Sequence, residues 1–128
     1  MKTILIIDDE EGIMRYYKKL LESEGYRVLV ARDADEGLLQ IIRNRPVHLI
    51  LLDINLPEVD GGELWDAIRA YNADMNVLVF SVRTPEEQRR FVPFADDHFD
   101  KSHSVEILLQ KIDRILSKQE ARLMHEID

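Results

Sequence analysis

Three short runs of consecutive apolar residues constrain the fold of this 128-residue chain most strongly. They cover 4–7 (ILII), 49–52 (LILL) and 77–80 (VLVF), and polar residues bound each run. A run of this length without polar alternation is typical of a strand that is buried on both faces. Strands of that kind belong to parallel sheets whose two faces are covered by helices, so the runs predict a layered α/β domain.

The segments between these runs have the period of amphipathic helices. Asp33 is expected to cap the second helix, with Leu38, Ile41 and Ile42 facing inward. The predicted strands are 4–7, 27–30, 48–52, 76–80 and 97–100, and the predicted helices are 11–24, 33–44, 63–71, 85–93 and 104–117. This alternation favours right-handed crossovers and a doubly wound, five-stranded parallel sheet. The fourth predicted helix is expected to be short and irregular, because Pro85 and Pro93 bound it.

Composition narrows the class of protein further. The chain fits one domain, and its hydrophobic content of 45% and charged content of 33% are ordinary for a soluble globular protein. A net charge of −8 argues against binding of nucleic acid by this segment. The absence of cysteine excludes disulfides and thiolate metal sites. No apolar run is long enough to span a membrane and the N-terminus lacks a signal-peptide pattern, so we expect a cytoplasmic location.

Polar and charged residues follow the predicted strands at the points where these end. Asp8 and Asp9 follow the first strand and Asp53 follows the third, whereas Ser81 and Lys101 follow the fourth and fifth. The carboxyl ends of parallel strands meet at one edge of a sheet, where ligands of wound sheets bind. Three carboxylates at close range repel one another unless a cation lies among them, and all-oxygen ligands suit Mg²⁺. The pattern predicts a magnesium site that serves phosphoryl transfer to an aspartate.

Four segments together resemble the receiver domain of two-component response regulators. They are ILIIDDE at 4–10, LILLDINLPEVDGGEL at 49–64, VLVFS at 77–81 and DDHFDKS at 96–102. The resemblance covers about residues 3–117 and implies a flavodoxin-like sheet with strand order 2-1-3-4-5. It also implies a receiver domain over residues 1–117, followed by a C-terminal helical extension or the start of a linker at 118–128.

The resemblance implies a chemical role for each acid. Asp53 corresponds to the phosphoacceptor, which takes a phosphoryl group from a phosphohistidine. Asp8 and Asp9 correspond to the acid pair that holds Mg²⁺, and Asp53 and the main-chain carbonyl of Asn55 complete the protein ligands. The chain is therefore expected to be a signalling phosphoacceptor and not an enzyme, beyond hydrolysis of its own phosphoryl group.

The resemblance also assigns residues that respond to the phosphoryl group. Lys101 corresponds to the lysine that pairs with phosphoryl oxygens, and Ser81 to the hydroxyl residue that reports phosphorylation. His98 occupies the position of the aromatic switch residue, and an imidazole ordinarily titrates near neutral pH. Val82 replaces the usual Ala or Gly, which predicts restricted access to the phosphoryl group. Ser102 replaces a proline after the lysine.

The implied partner is a histidine kinase or a phosphotransfer protein. The implied output face combines residues 83–96 with the last strand and the last helix, and would contact an effector domain or output partner, with a homodimer as an open alternative. Two other functions compete with the phosphoacceptor. One is a pseudo-receiver that is never phosphorylated and serves only protein interaction. The other is a phosphatase of the haloacid-dehalogenase type, which requires Asp-x-Asp where this chain has Asp8-Asp9-Glu10.

Overall fold

The fold was obtained as a computed structural model, which describes residues 1–53, 61–72, 75–81 and 95–127. Strands and helices alternate along these residues. The strands are β1 Thr3–Ile7, β2 Arg27–Ala31, β3 Leu49–Leu52, β4 Asn76–Ser81 and β5 Asp97–Asp100. The helices are α1 Glu11–Ser23, α2 Ala34–Arg43, α3 Gly61–Tyr71 and α4 Val105–Ile127. The predicted helix at 85–93 lies outside the described residues.

All five strands are parallel and form one sheet in the order β2-β1-β3-β4-β5. This confirms the fold class and the strand order that the resemblance implied. The order reverses direction between β1 and β3, because the chain first adds β2 on one side of β1 and then adds the remaining strands on the other. A crevice forms at such a point, outside the carboxyl ends of the strands.

The sheet separates two apolar cores, because successive side chains of a strand point to opposite faces. In β1, Leu5 and Ile7 pack into the core under α2 and α3, whereas Ile4 and Ile6 pack into the core under α1 and α4. All four side chains are completely buried. Burial on both faces explains why this strand is a continuous apolar run in the sequence and does not alternate with polar residues.

The second helix lies close against β1 because Gly37 faces the sheet. A Cβ atom at Gly37 would lie 2.7 Å from Cδ1 of Ile7, which is closer than two carbon atoms can approach. Asp33 caps this helix as predicted, since its Oδ1 accepts a hydrogen bond of 2.8 Å from the backbone N–H of Glu36. The prediction that Ile42 faces inward was wrong: its side chain is 52% exposed, because it follows the buried residue at 41 by about 100° of helical rotation.

The last helix continues well past the predicted end at Ser117 and reaches Ile127. Its first half is anchored by Leu108, Ile112 and Leu116, which pack under the sheet. Within the second half, Glu120 forms an ion pair of 3.2 Å with Lys2, which joins the extension to the start of β1. Each helix among the described residues is too short or too polar to span a lipid bilayer.

Candidate functional site

The backbone of the sheet fixes the positions of two acids at its carboxyl edge. The N–H of Asp8 donates to the carbonyl of Ala31 at 3.1 Å, and the N–H of Asp53 donates to the carbonyl of Ile7 at 3.0 Å. These hydrogen bonds extend the ladders beyond the last residues of β1 and β3. Asp8 and Asp53 are 0% and 2% exposed, so both carboxylates are withdrawn from water.

The side chain of Lys101 reaches both buried acids. Its Nζ lies 2.9 Å from Oδ2 of Asp8, a hydrogen-bonding distance, and 3.5 Å from Oδ2 of Asp53. The Lys101 side chain is itself only 9% exposed, so water screens these two ion pairs weakly. The other oxygen of Asp8 accepts a hydrogen bond of 2.9 Å from the N–H of Glu10. One buried ammonium is therefore shared by two buried carboxylates and balances the charge of only one of them.

Asp9 completes a group of three acids that has the donor set of a magnesium site. One oxygen from each of Asp8, Asp9 and Asp53 lies within 4.8 Å of the other two. Oxygen ligands at about 2.1 Å from Mg²⁺ lie at most about 4.2 Å apart, which is close to the separation found here. Asp9 is the exposed member of the group. The residues therefore fit a hard divalent cation.

Ser81 and His98 lie near the same edge but differ in burial and in their position along the strand. Ser81 ends β4, is completely buried, and its carbonyl accepts a hydrogen bond of 2.8 Å from the N–H of Lys101. His98 is half-buried on β5, opposite Val79 in the strand register. Among the described residues the cis peptide bond is Arg45–Pro46, so the bond between Lys101 and Ser102 is trans. Asn55 and Val82 lie outside the described residues.

An aromatic pair beneath Lys101 was missed at the level of the sequence. The Nζ atom of Lys101 lies 4.6 Å from the ring centroid of Phe80, and this ring packs edge-to-face against Tyr17 at 5.5 Å. Burial raises the pKa of the Tyr17 hydroxyl, and the charges of Tyr16 and Asp8 raise it further, so the phenol is neutral at neutral pH. The sequence held one clue to this contact: Phe80 directly precedes the predicted site residue Ser81 at the end of β4.

The fold and this constellation define a class of protein: a wound α/β domain with an acidic, lysine-bridged site at its carboxyl edge. Residues 4–113 match the family model described as the response regulator receiver domain. That match covers most of the chain, so the chain belongs to this family. The predicted resemblance to response regulators is thereby confirmed.

Individual relatives agree with this assignment. The chain is 35% identical over 107 residues to the KDP operon transcriptional regulatory protein KdpE of Escherichia coli, with 82% of this chain and 47% of the relative covered. The receiver domain protein of Methanospirillum hungatei has a TM-score of 0.86 at 35% identity, covering 95% of this chain and 98% of that chain. The response regulator protein TrrA of Thermotoga maritima, in complex with Mg(2+)-BeF, has a TM-score of 0.82 at 28% identity, covering 91% and 100%.

This chain spans about half the length of the curated relatives that it matches. The shared part is the receiver domain, a signalling domain of two-component systems. The family therefore accounts for the part of the chain that contains the sheet and the acidic edge.

Proposed function

We propose that Asp53 accepts a phosphoryl group from a histidine kinase or a phosphotransfer protein in a reaction that depends on Mg²⁺. One observation carries the proposal: the ammonium of Lys101 lies between the buried carboxylates of Asp8 and Asp53. An oxygen of Asp53 attacks phosphorus, a P–O bond forms, and the P–N bond to the donor histidine breaks with its electron pair left on nitrogen. The product is an aspartyl phosphate.

Asp8, Asp9 and Asp53 would hold the magnesium ion, together with the main-chain carbonyl of Asn55. Bound there, Mg²⁺ supplies positive charge that offsets the charge of the transferring group. TrrA, a relative with a similar fold, is in complex with Mg(2+)-BeF, and this supports magnesium binding by the present chain. The carboxylate oxygens of this chain are the donor type that Mg²⁺ prefers.

Lys101 would stabilise the product, since its ammonium already lies within 3.5 Å of the Asp53 carboxylate. Phosphorylation adds about −1.5 to −2 charges and strong acceptor oxygens. The hydroxyl of Ser81, one strand away at the same edge, is a second donor for those oxygens. We propose that Ser81 and His98 respond to the new charge and that their movement alters the surface near β5, α4 and residues 83–96.

The two competing functions are less well supported. A pseudo-receiver does not need a lysine that bridges two buried acids. A haloacid-dehalogenase phosphatase has its acids two residues apart after the first strand. Here Asp8 and Asp9 are adjacent, so one is buried and the other exposed. The family match also places the chain among receivers.

Acetyl phosphate tests the phosphoacceptor directly, because it donates a phosphoryl group without a protein kinase. We expect the intact mass to rise by one phosphoryl group in the presence of Mg²⁺ and to stay constant with EDTA. Asp53→Asn should abolish the gain. An Asp53→Asn variant that gains the same mass as the parent would refute the assignment of the acceptor.

Asp100→Asn is the matched control for this experiment. Asp100 also lies at the carboxyl edge, but its carboxylate accepts hydrogen bonds from the N–H and the hydroxyl of Ser102. Those bonds, the backbone one first, lower the pKa of Asp100, so the variant also removes a charged carboxylate. We expect Asp100→Asn to gain the phosphoryl mass at nearly the parental rate.

The cellular setting is part of the same proposal. We propose a cytoplasmic location, where histidine kinases present their phosphohistidine to receivers. We also propose that residues 118–128 act as a helical connection to an output domain or partner, in addition to the receiver at 1–117. The relatives are about twice as long as this chain, and KdpE is named a transcriptional regulator, which supports an output beyond these residues.

A further inference from the structure

Lys101 must cross a large part of the sheet to reach its acids. It follows β5, whereas Asp8 follows β1, and three strand spacings separate these strands. At about 4.8 Å per spacing the backbones are roughly 14 Å apart. Nevertheless the Lys101 ammonium lies 2.9 Å from Oδ2 of Asp8. A long, flexible side chain is therefore held in one direction, and it loses rotamer freedom in that conformation.

The last two residues of β4 contact Lys101 at both ends. The carbonyl of Ser81 accepts a hydrogen bond of 2.8 Å from its backbone N–H. The ring centroid of Phe80 lies 4.6 Å from its Nζ, which is within the range of a cation–π interaction. Phe80 is completely buried and the Lys101 side chain nearly so. Exclusion of water places this interaction toward the strong end of its usual range.

The orientation of the Phe80 ring is itself fixed from α1. Tyr17 packs edge-to-face against Phe80, with ring centroids 5.5 Å apart and ring planes at 83°. Tyr17 is only 6% exposed, and Tyr16 packs edge-to-face with it at 5.1 Å. Edge-to-face contacts with Tyr16 and with Phe80 restrict rotation of the Tyr17 ring, which lies between them in this series of contacts. The face of Phe80 is therefore kept toward Lys101.

We propose that Phe80 is a positioning residue: through a cation–π contact it holds the ammonium of Lys101 over the acids, and Tyr17 fixes the ring that does so. This inference rests on the proposed phosphoacceptor function and deepens it. Phe80 acts through Lys101 and needs no contact with the reacting atoms. The electron density of the ring face, and not only its volume, should then control the rate of phosphorylation.

Fluorinated phenylalanines at position 80 separate charge from shape. One, two or three fluorine atoms weaken the negative face of the ring in steps and barely change its size. With acetyl phosphate and Mg²⁺, we expect the rate of phosphoryl gain to fall in steps, by about threefold to tenfold in total. In metal-free protein, the ε-methylene protons of Lys101 should show a ring-current shift that Phe80→Leu removes. The fluorinated proteins should keep the parental unfolding midpoint.

Phe99 is the matched control for this series. It is 1% exposed, pairs with Phe80 in the strand register, and its ring lies 6.4 Å from that of His103. The same fluorine series at Phe99 should leave the rate unchanged. If the parental protein is phosphorylated and all Phe80 variants react at the parental rate, the role of Phe80 is refuted but the proposed function is not. The absence of a ring-current shift at Lys101 would have the same meaning. A parent that gains no phosphoryl mass would overturn the proposed function and this inference with it.

Discussion

Replacing Lys101 by methionine removes the buried ammonium and keeps an unbranched, apolar side chain that is shorter by a single atom. The ammonium lies 2.9 Å from Asp8 and 3.5 Å from Asp53, which at an effective dielectric constant of about 20 gives attractions of about 6 and about 5 kcal/mol. Desolvation of the lysine opposes these terms, and breaking a buried pair typically costs about 3 to 5 kcal/mol. We expect a loss of that size in urea unfolding with EDTA, and a thermal midpoint lowered by roughly 10 to 20 °C.

A double-mutant cycle with Asp53→Asn isolates the cause. In the Asp53→Asn background a single buried carboxylate remains at this place, so Lys101→Met should cost clearly less than in the parent. Lys111→Met is the control, since Asp97 keeps its ion pair with Arg114 when Lys111 is lost. That control should cost about 1 kcal/mol. Equal costs of Lys101→Met in the two backgrounds, or a cost below about 0.5 kcal/mol, would refute the compensation argument.

Three further predictions concern the rest of the fold. Burial and nearby positive charge lower the pKa of His48, whose Nδ1 accepts from the N–H of Thr3. As the pH falls, His48 is therefore protonated in the unfolded chain before it is protonated in the folded one. The free energy of unfolding should decrease from about pH 7.5 to about pH 5.5, and this decrease should be larger in the parent than in His48→Asn. Gly37→Ala should destabilise by about 1 kcal/mol in chemical denaturation, and Ile7→Val should relieve part of this, because the added Cβ meets Cδ1 of Ile7. Although burial raises it, hydrogen bonds lower the pKa of Asp97 overall. Asp97→Asn should therefore lower the free energy of unfolding by its full amount above about pH 4. The difference from the parent should disappear as the pH falls through the pKa of Asp97 in the folded protein.

The strands were predictable from the sequence because burial on both faces leaves continuous apolar runs such as 49–52. The strand order was not: it came from the resemblance, since periodicity does not say which strands are neighbours. The sequence left open whether the last helix continues past Ser117, because no Gly or Pro stops it there but polar residues interrupt its apolar stripe. Ile42 was misplaced because its helix buries a narrower stripe than its apolar residues suggest.

At the site, the positions of the acids could be predicted from the sequence, but the direction of the long Lys101 side chain could not. Asp8 and Asp53 are fixed by backbone hydrogen bonds that continue the ladders, so a correct strand prediction locates them. Lys101 reaches across neighbouring strands, and its direction depends on Phe80, a contact between β4 and the loop after β5. Contacts of this kind depend on strand order and on packing of α1, neither of which a single sequence expresses.

The charges at the carboxyl edge support the proposed cation site. Asp8, Asp9 and Asp53 carry three negative charges and Lys101 one positive charge, which leaves a deficit that one divalent cation balances. A structural ion cluster would be cheaper with one acid per lysine, because each buried carboxylate without its own partner costs free energy. The exposed Asp9 provides access for an ion from solvent, while the sheet holds the other two acids in place. The burial of two acids beside a single lysine therefore supports the proposed cation site.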